Sequence, residues 1–329
     1  MTDLIKGVKS MFSKMIEKAF RSSVYTRADD NGSIFYFSSD DFEGLNRREY
    51  SVTSCKGHEL KGYFYFYDGC DRSRIIVFEH GMGSGHRGYM KEIEIICRRG
   101  YLVFAYDHTG CMESGGETTG GFLQSLIDLN DVITALKGEE ALRGVDISVI
   151  GHSWGGFSTL NISALHPDIK HTVGIAGFSS VSRIIGQFFG GMLSSAGKKI
   201  LASVVAENPD FAEFDVHETL KTTQSKVLYI ISEDDPTVSC KVHFDPIENT
   251  IKRDNVKFLK VNGKRHNPNY TEDAVVYKDA FFADYVKAMK KKKLVTDEQK
   301  RAFKQKYDWD RMTAQDMELW QVIFDFIEN

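Results

Sequence analysis

The sequence predicts an α/β protein with a mostly parallel central sheet and helices on both of its faces. Short apolar runs of strand length alternate with helical stretches from about residue 48 to about residue 290. Strands that are separated by helices pair in parallel and are covered on both faces of the sheet. A helical insertion interrupts this alternation once, between two of the later strands.

Eight strands are predicted, and the first two form an antiparallel pair. The predicted strands are Tyr50–Ser54, Leu60–Tyr67, Arg74–Glu79, Tyr101–Tyr106, Asp146–Ile150, His171–Ala176, Lys226–Ile231 and Val256–Val261. Helices are predicted near residues 87–98, 121–137, 155–166, 240–252 and 271–290. Residues 48–178 and 223–293 therefore form the predicted α/β core.

Three segments lie outside this core. Residues 1–47 contain a basic amphipathic helix at 3–20, which we expect to pack on the body, although such helices also bind membrane surfaces. Residues 179–222 form the predicted helical cap or lid, and residues 294–329 a helical extension. The extension carries one apolar stripe, composed of Trp320, Ile323, Phe324 and Ile327. Either the N-terminal helix or this stripe could form a homo-oligomer contact or belong to the core.

Composition excludes several classes of function. The 329 residues carry a formal net charge of −4, which gives no electrostatic reason to expect a nucleic acid partner. Five scattered cysteines without a CxxC pair argue against a disulfide framework and favour a reducing compartment. We find no metal-binding motif, no secretory signal and no apolar run long enough to span a membrane. The prediction is a cytoplasmic protein without metal or cofactor.

The strongest chemical signal is the sequence Gly-His-Ser-Trp-Gly at residues 151–155, which follows an apolar strand and precedes a helix. A serine at such a sharp turn needs small residues two positions before and after it. Gly151 and Gly155 meet that need. The turn also places Ser153 at a helix N-terminus, where free N–H groups favour negative charge. Ser153 is therefore the candidate nucleophile.

With this motif in this context, the chain resembles the α/β-hydrolase superfamily, and within it the serine esterase, lipase and serine aminopeptidase-like branches. The resemblance covers residues 48–290 and implies the chain order nucleophile, acid, histidine. It implies Asp235 as the acid, with Ser232 where the family often has glycine, so that Asp234 stays the alternative. It implies His266 as the base, because Gly263 precedes it by three residues on the loop after the last strand.

The same resemblance implies an oxyanion hole and a substrate pocket. His80-Gly-Met-Gly resembles the oxyanion loop, so the backbone amides of Met82 and Trp154 are the implied donors. The lid at 179–222 is implied to roof the site. Four side chains are expected to line the pocket, namely His86, Phe188, Phe189 and Met192. The alternative for the three lid residues is that they form the core between the lid and the body.

The function predicted from these residues is hydrolysis of a carboxylic ester through a Ser-His-Asp triad and an acyl-enzyme. A peptidase or amidase is the first alternative, since acidic lid residues that could bind a free amino terminus are available at 207, 210, 213 and 215. A thioesterase or an acyltransferase is the second alternative. A non-catalytic binding protein on the same scaffold is the alternative from another class. The expected ligand is a small ester or acyl compound.

Overall fold

The computed structural model describes residues 14–29 and 37–329. Within these residues eight strands form one sheet, in the order β1-β2-β4-β3-β5-β6-β7-β8. Strand β1 pairs with β2, and β2 with β4, in antiparallel fashion, and all other neighbours are parallel. The predicted mostly parallel sheet is confirmed.

The strands follow the apolar runs of the sequence closely. They are β1 Asn46–Thr53, β2 Glu59–Phe66, β3 Asp71–Glu79, β4 Tyr101–Tyr106, β5 Asp146–His152, β6 His171–Ile175, β7 Lys226–Ser232 and β8 Val256–Val261. The centre of the sheet is formed by β3 to β7, whose strands are buried along most of their length.

The helices of the described residues begin with α1 at 14–24. The remaining helices are α2 Met90–Arg98, α3 Gln124–Gly138, α4 Trp154–Asn161, α5 Val181–Phe188, α6 Ser194–Glu207, α7 Val216–Thr222, α8 Cys240–His243, α9 Asp245–Thr250, α10 Glu272–Lys290, α11 Asp297–Lys304, α12 Trp309–Met312 and α13 Met317–Glu328. The helix expected over 240–252 is two helices, because Pro246 starts a new turn and has no N–H to continue the first.

The core has two parts, one on each face of the sheet. Alternate residues of β3 show this, since Ile75 and Val77 belong to one cluster and Ile76 and Phe78 to the other. Helices α1, α3 and α4 contribute to the first cluster. Helices α2 and α13 contribute to the second. Both faces of the sheet are therefore covered, as expected for parallel strands.

The outlying segments pack onto this core. Phe20 and Val24 of α1 are buried in the first cluster, while residues 3–13 of the predicted N-terminal helix lie outside the described residues. The C-terminal stripe packs on the sheet, and Trp320 is fully buried. Residues 179–222 are helical, as α5, α6 and α7. None of the helices in the described ranges combines the length and apolar character needed to cross a bilayer.

Candidate active site

Ser153 lies at the turn between β5 and α4 with a φ of 57° and a ψ of −112°. A positive φ costs a residue other than glycine about 1–3 kcal/mol, so the surrounding structure must hold it. Its N–H donates to the carbonyl oxygen of Ile175 on β6, at 2.8 Å. A Cβ at Gly155 would lie 2.4 Å from the carbonyl oxygen of Glu79, which explains the glycine there. The local sequence thus permits the close packing that raises the serine above the sheet edge.

Two loops bring an imidazole and a carboxylate to this serine. His266 Nε2 lies 2.8 Å from Ser153 Oγ, and His266 Nδ1 lies 2.7 Å from Asp235 Oδ2. The side chain of Asp235 is fully buried, and its other oxygen accepts the N–H groups of Thr237 and Val238 at 2.8 and 3.0 Å. The carboxylate is thereby fixed in the orientation in which it accepts the imidazole N–H.

Asp234 has a different position. Its carboxylate accepts hydrogen bonds from the Ser232 hydroxyl and from the N–H of Arg265. Arg265 has a φ of 47°, so the loop before His266 is tightly turned at this residue. Asp234 therefore supports the loop that carries the histidine, and the contact to the imidazole ring is made by Asp235.

The amides of Met82 and Trp154 are the two predicted oxyanion donors. Met82 lines the same cavity as Ser153, and Trp154 is the first residue of α4. Among the described residues, neither backbone N–H has a hydrogen-bond acceptor within the protein. His80 holds the loop before Met82, because its Nδ1 donates to the Gly81 carbonyl at 2.8 Å and its Nε2 accepts the N–H of His108. Burial lowers the pKa of His80 to about 3, so this ring is neutral.

His152 links these loops to one another. Its Nε2 donates to the carbonyl oxygen of His266 at 2.7 Å, and its Nδ1 accepts from the Tyr89 hydroxyl at 2.9 Å. Tyr89 in turn accepts the N–H of Gly81 at 3.0 Å. Because a carbonyl oxygen only accepts, this chain fixes the neutral tautomer of His152. The residue before the candidate nucleophile thus joins the loop of Gly81 to the loop of His266.

The structure does not bring His86 to the cavity. The ring is fully buried, with Nδ1 bonded to Asp107 Oδ1 at 2.8 Å and Nε2 to the Tyr65 hydroxyl at 2.9 Å. Asp107 also accepts the backbone N–H groups of His86 and Glu113. His86 therefore anchors the loop after the oxyanion segment to the end of β4, and both of its ring nitrogens are engaged there.

The cavity above Ser153 has a volume of about 560 Å³ and an aromatic wall that the sequence did not indicate. This wall comes from α10 and α12 and consists of Phe281, Phe282 and Trp309, with Met312 and Thr313 beside it. The three lid residues predicted to line the pocket lie elsewhere. Phe188 and Met192 are 47% and 100% exposed, and Phe189 packs against Phe20 of α1 with ring centroids 5.8 Å apart. Of these three residues, Phe189 makes the contact between insertion and body, whereas Phe188 and Met192 are exposed.

The sequence analysis did not identify two residues of this site. Tyr89 bridges Gly81 and His152, and Lys278 of α10 lines the cavity. Lys278 lies in a helix whose sequence is typical of a surface helix, and no local motif distinguishes it from the other lysines of that helix. No group of three or more His, Cys, Asp or Glu in the described part of the chain is arranged to hold a metal ion.

A family model described as "Serine aminopeptidase, S33" matches residues 71–247, more than half of the chain. The chain belongs to the S33 serine aminopeptidase family. The matched region contains Ser153 and Asp235, and His266 follows it. Members of this family are serine hydrolases of the α/β-hydrolase superfamily, so the coarse assignment made from the sequence is confirmed.

Two solved structures are similar to this S33 chain in fold, and one further protein is similar in sequence. The esterase Pf2001 of Pyrococcus furiosus superposes with a TM-score of 0.56 at 18% identity, over 78% of this chain and 95% of the esterase. The acylaminoacyl peptidase of Pyrococcus horikoshii gives 0.52 at 18% identity, over 68% of this chain and 37% of the peptidase. The uncharacterized protein YqkD of Bacillus subtilis is 29% identical over 159 residues, 47% of this chain and 50% of YqkD. The chain thus spans about half the length of that relative.

Proposed function

We propose that this S33 hydrolase cleaves carboxylic esters through an acyl-enzyme on Ser153, with His266 as the base and Asp235 as the orienting acid. The observation that carries the proposal is the continuous chain of two hydrogen bonds, 2.8 Å from Ser153 Oγ to His266 Nε2 and 2.7 Å from His266 Nδ1 to Asp235 Oδ2. These are the contacts that proton transfer from a serine hydroxyl requires.

In the proposed reaction, Ser153 Oγ attacks the ester carbonyl carbon while His266 Nε2 takes the hydroxyl proton. Asp235 stabilises the imidazolium that forms and keeps Nδ1 protonated. The amides of Met82 and Trp154 donate to the oxygen that becomes negative. His266 then gives its proton to the alcohol that leaves. Water, deprotonated by the same ring, then attacks the acyl carbon. The bond to Ser153 Oγ breaks, His266 returns the proton to this oxygen, and the carboxylic acid leaves.

An ester rather than a peptide with a free amino terminus is supported by the charge of the cavity. Binding an amino terminus needs a carboxylate without a cationic partner near the serine. The acidic residues of the insertion are not among those that line the cavity, and Glu207 is paired with Arg21 of α1. Asp279 does line the cavity, but its carboxylate pairs with Arg265 at 3.0 Å.

The test is a panel of para-nitrophenyl esters of increasing acyl length, assayed beside aminoacyl para-nitroanilides. We expect turnover of the esters and at least about a hundredfold lower kcat/KM for the anilides. A fluorophosphonate probe should label the wild-type protein and not Ser153→Ala. Preferred cleavage of the anilides would assign the peptidase alternative, and hydrolysis that survives Ser153→Ala would refute the triad.

A further inference from the structure

Lys278 lines the cavity that contains Ser153. Its Nζ donates to Asn267 Oδ1 at 2.9 Å and lies 4.5 Å from the centre of the Tyr270 ring. Asn267 directly follows His266, so this cation stands beside the loop of the proposed base. One of the three N–H donors of the ammonium is thereby engaged by a hydrogen bond, which leaves the others for a ligand.

The other charges of the cavity do not neutralise Lys278. Asp279 faces Arg265, and their ion pair is 3.0 Å long. Within residues 14–29 and 37–329, no carboxylate oxygen lies within 4.0 Å of Lys278 Nζ. Glu92 of α2 lies in the neighbourhood, but burial raises the pKa of its carboxyl, which weakens it as a counterion. A partly buried ammonium without a counterion within 4.0 Å favours an anionic ligand.

We propose that Lys278 binds an anionic group, a carboxylate or a phosphate, on the substrate hydrolysed at Ser153. The inference rests on the proposed ester hydrolysis and narrows its substrate to an acidic ester. The aromatic wall formed by Phe281, Phe282 and Trp309 would pack against the apolar part of such a molecule. Lys278 would then fix the charged end, which sets the direction in which the ester enters.

Two pairs of substrates test this by changing charge and little else. The first pair is para-acetoxybenzoate and para-acetoxybenzamide, which differ on the leaving group. The second is the mono-para-nitrophenyl ester of adipic acid and its terminal primary amide, which differ on the acyl chain. In the wild-type protein we expect the acid of at least one pair to have the higher kcat/KM. Lys278→Met should reduce the acid-to-amide ratio of kcat/KM for that pair by about ten- to a hundredfold, because the variant loses a charge-assisted hydrogen bond.

Lys290→Met is the matched control, since it removes the same charge from an exposed position of the same helix. The control should leave both the acid-to-amide ratio and the kcat/KM for each ester unchanged. Lys278→Arg should retain most of the preference. An equal fall in kcat/KM for acid and amide in Lys278→Met would mean that Lys278 only supports the His266 loop, and would overturn the proposal. Wild-type protein that prefers the amide in both pairs would overturn it as well.

Binding to Ser153→Ala separates this inference from the proposed function. Calorimetric titration with para-acetoxybenzoate should give binding to Ser153→Ala that is weakened at least about tenfold when Lys278→Met is added. Binding that depends on Lys278 without ester turnover in the wild type would refute the ester hydrolase and keep the anion site. Ester turnover without Lys278-dependent binding or preference would refute the anion site and keep the hydrolase.

Discussion

His152 Nε2 donates a hydrogen bond to the backbone carbonyl of His266, at 2.7 Å. The residue that precedes the candidate nucleophile thus holds the backbone of the candidate base. On its other side, His152 is bonded to Tyr89, which receives the N–H of Gly81. Burial lowers the pKa of His152 well below its usual value, so the ring keeps the neutral form that this chain of donors requires. Tyr89 and His152 are positioning residues for the proposed reaction, because they orient the groups that react.

Tyr89→Phe should lower kcat about tenfold, because it removes the hydroxyl that joins Gly81 to His152 and leaves both without that partner. The measurements are kcat, KM and the rate of labelling by a fluorophosphonate. Tyr65→Phe is the matched control, since it removes a buried tyrosine hydroxyl that is bonded to His86.

The control separates positioning from folding stability. Both substitutions should lower the melting temperature by a similar amount, but Tyr65→Phe should keep kcat and the labelling rate within about twofold of wild type. Equal losses of kcat in the two variants would show that Tyr89 acts only through stability.

Asp235→Asn should reduce kcat/KM by about 10³- to 10⁴-fold, because the amide no longer stabilises the imidazolium and favours the wrong tautomer. Asp234→Asn is a matched comparison one residue away. It affects the support of the histidine loop through the Ser232 hydroxyl and the Arg265 N–H, and should cost about tenfold or less. Steady-state kinetics of both variants on one ester decide the assignment, and a larger loss in Asp234→Asn would reverse it.

Much of this arrangement can be predicted from the sequence because strand and loop order constrain it. Ser153, Asp235 and His266 each follow an apolar run, and the ends of parallel strands meet at one edge of a sheet. The structure brings these three side chains together with the expected chain order. Their catalytic roles stay a prediction until the kinetics are measured.

The substrate pocket could not be predicted in this way. Phe188 and Phe281 both belong to helices, and tertiary packing decides which of them faces the cavity. The insertion packs against α1 through Phe189 and Phe20, a contact between residues far apart in the sequence. Hydrophobic periodicity identifies the buried face of a helix, but it does not identify the element against which that face packs.

Binding of an acidic ligand at pH 8 should be accompanied by proton uptake. Burial lowers the pKa of Lys278 to about 8, although Glu92 and Asp279 act against this. A bound anion favours the charged ammonium and raises that pKa again, so affinity should fall as the pH rises through about 8.

Calorimetry of para-acetoxybenzoate with Ser153→Ala, in buffers of different ionisation enthalpy, measures the proton uptake. The other charged or titratable groups that line the cavity are Arg87, Arg265, Asp279, His152, His266, Tyr89 and Tyr270. Combining Ser153→Ala with Lys278→Arg should abolish the uptake, because a guanidinium stays protonated at this pH. Unchanged uptake in this double variant would assign the proton to one of those groups.

Asp107→Asn should destabilise the protein by about 3–5 kcal/mol, because the buried carboxylate accepts three hydrogen bonds from His86 and Glu113. Burial alone would raise the pKa of Asp107, but His86 outweighs it and the pKa falls to about 2. A lowered carboxyl pKa stabilises the fold above the unfolded value near 3.8 and loses this contribution as the pH falls towards 2. In urea unfolding between pH 7 and pH 2, the free energy of unfolding should therefore fall less steeply with decreasing pH in the variant.

Asp168→Asn is the control, because it removes an exposed carboxylate that is paired with Lys137. It should lower the free energy of unfolding by less than about 1 kcal/mol, and a loss equal to that of Asp107→Asn would contradict the prediction.

Gly155→Ala should abolish activity and destabilise the protein by several kcal/mol. The new methyl carbon would lie 2.4 Å from the carbonyl oxygen of Glu79, and both groups belong to rigid backbone at the centre of the sheet. The turn can accommodate the methyl group only if α4 moves away from β3, which would also displace Ser153 from His266.

Gly138→Ala is the control, because Gly138 ends α3 and no atom lies within 4 Å of the added carbon. This substitution should leave the stability of the protein unchanged or increase it. Urea unfolding and fluorophosphonate labelling of the two variants measure the difference. A folded Gly155→Ala protein that labels at the wild-type rate would show that the tight turn is not required for the nucleophile.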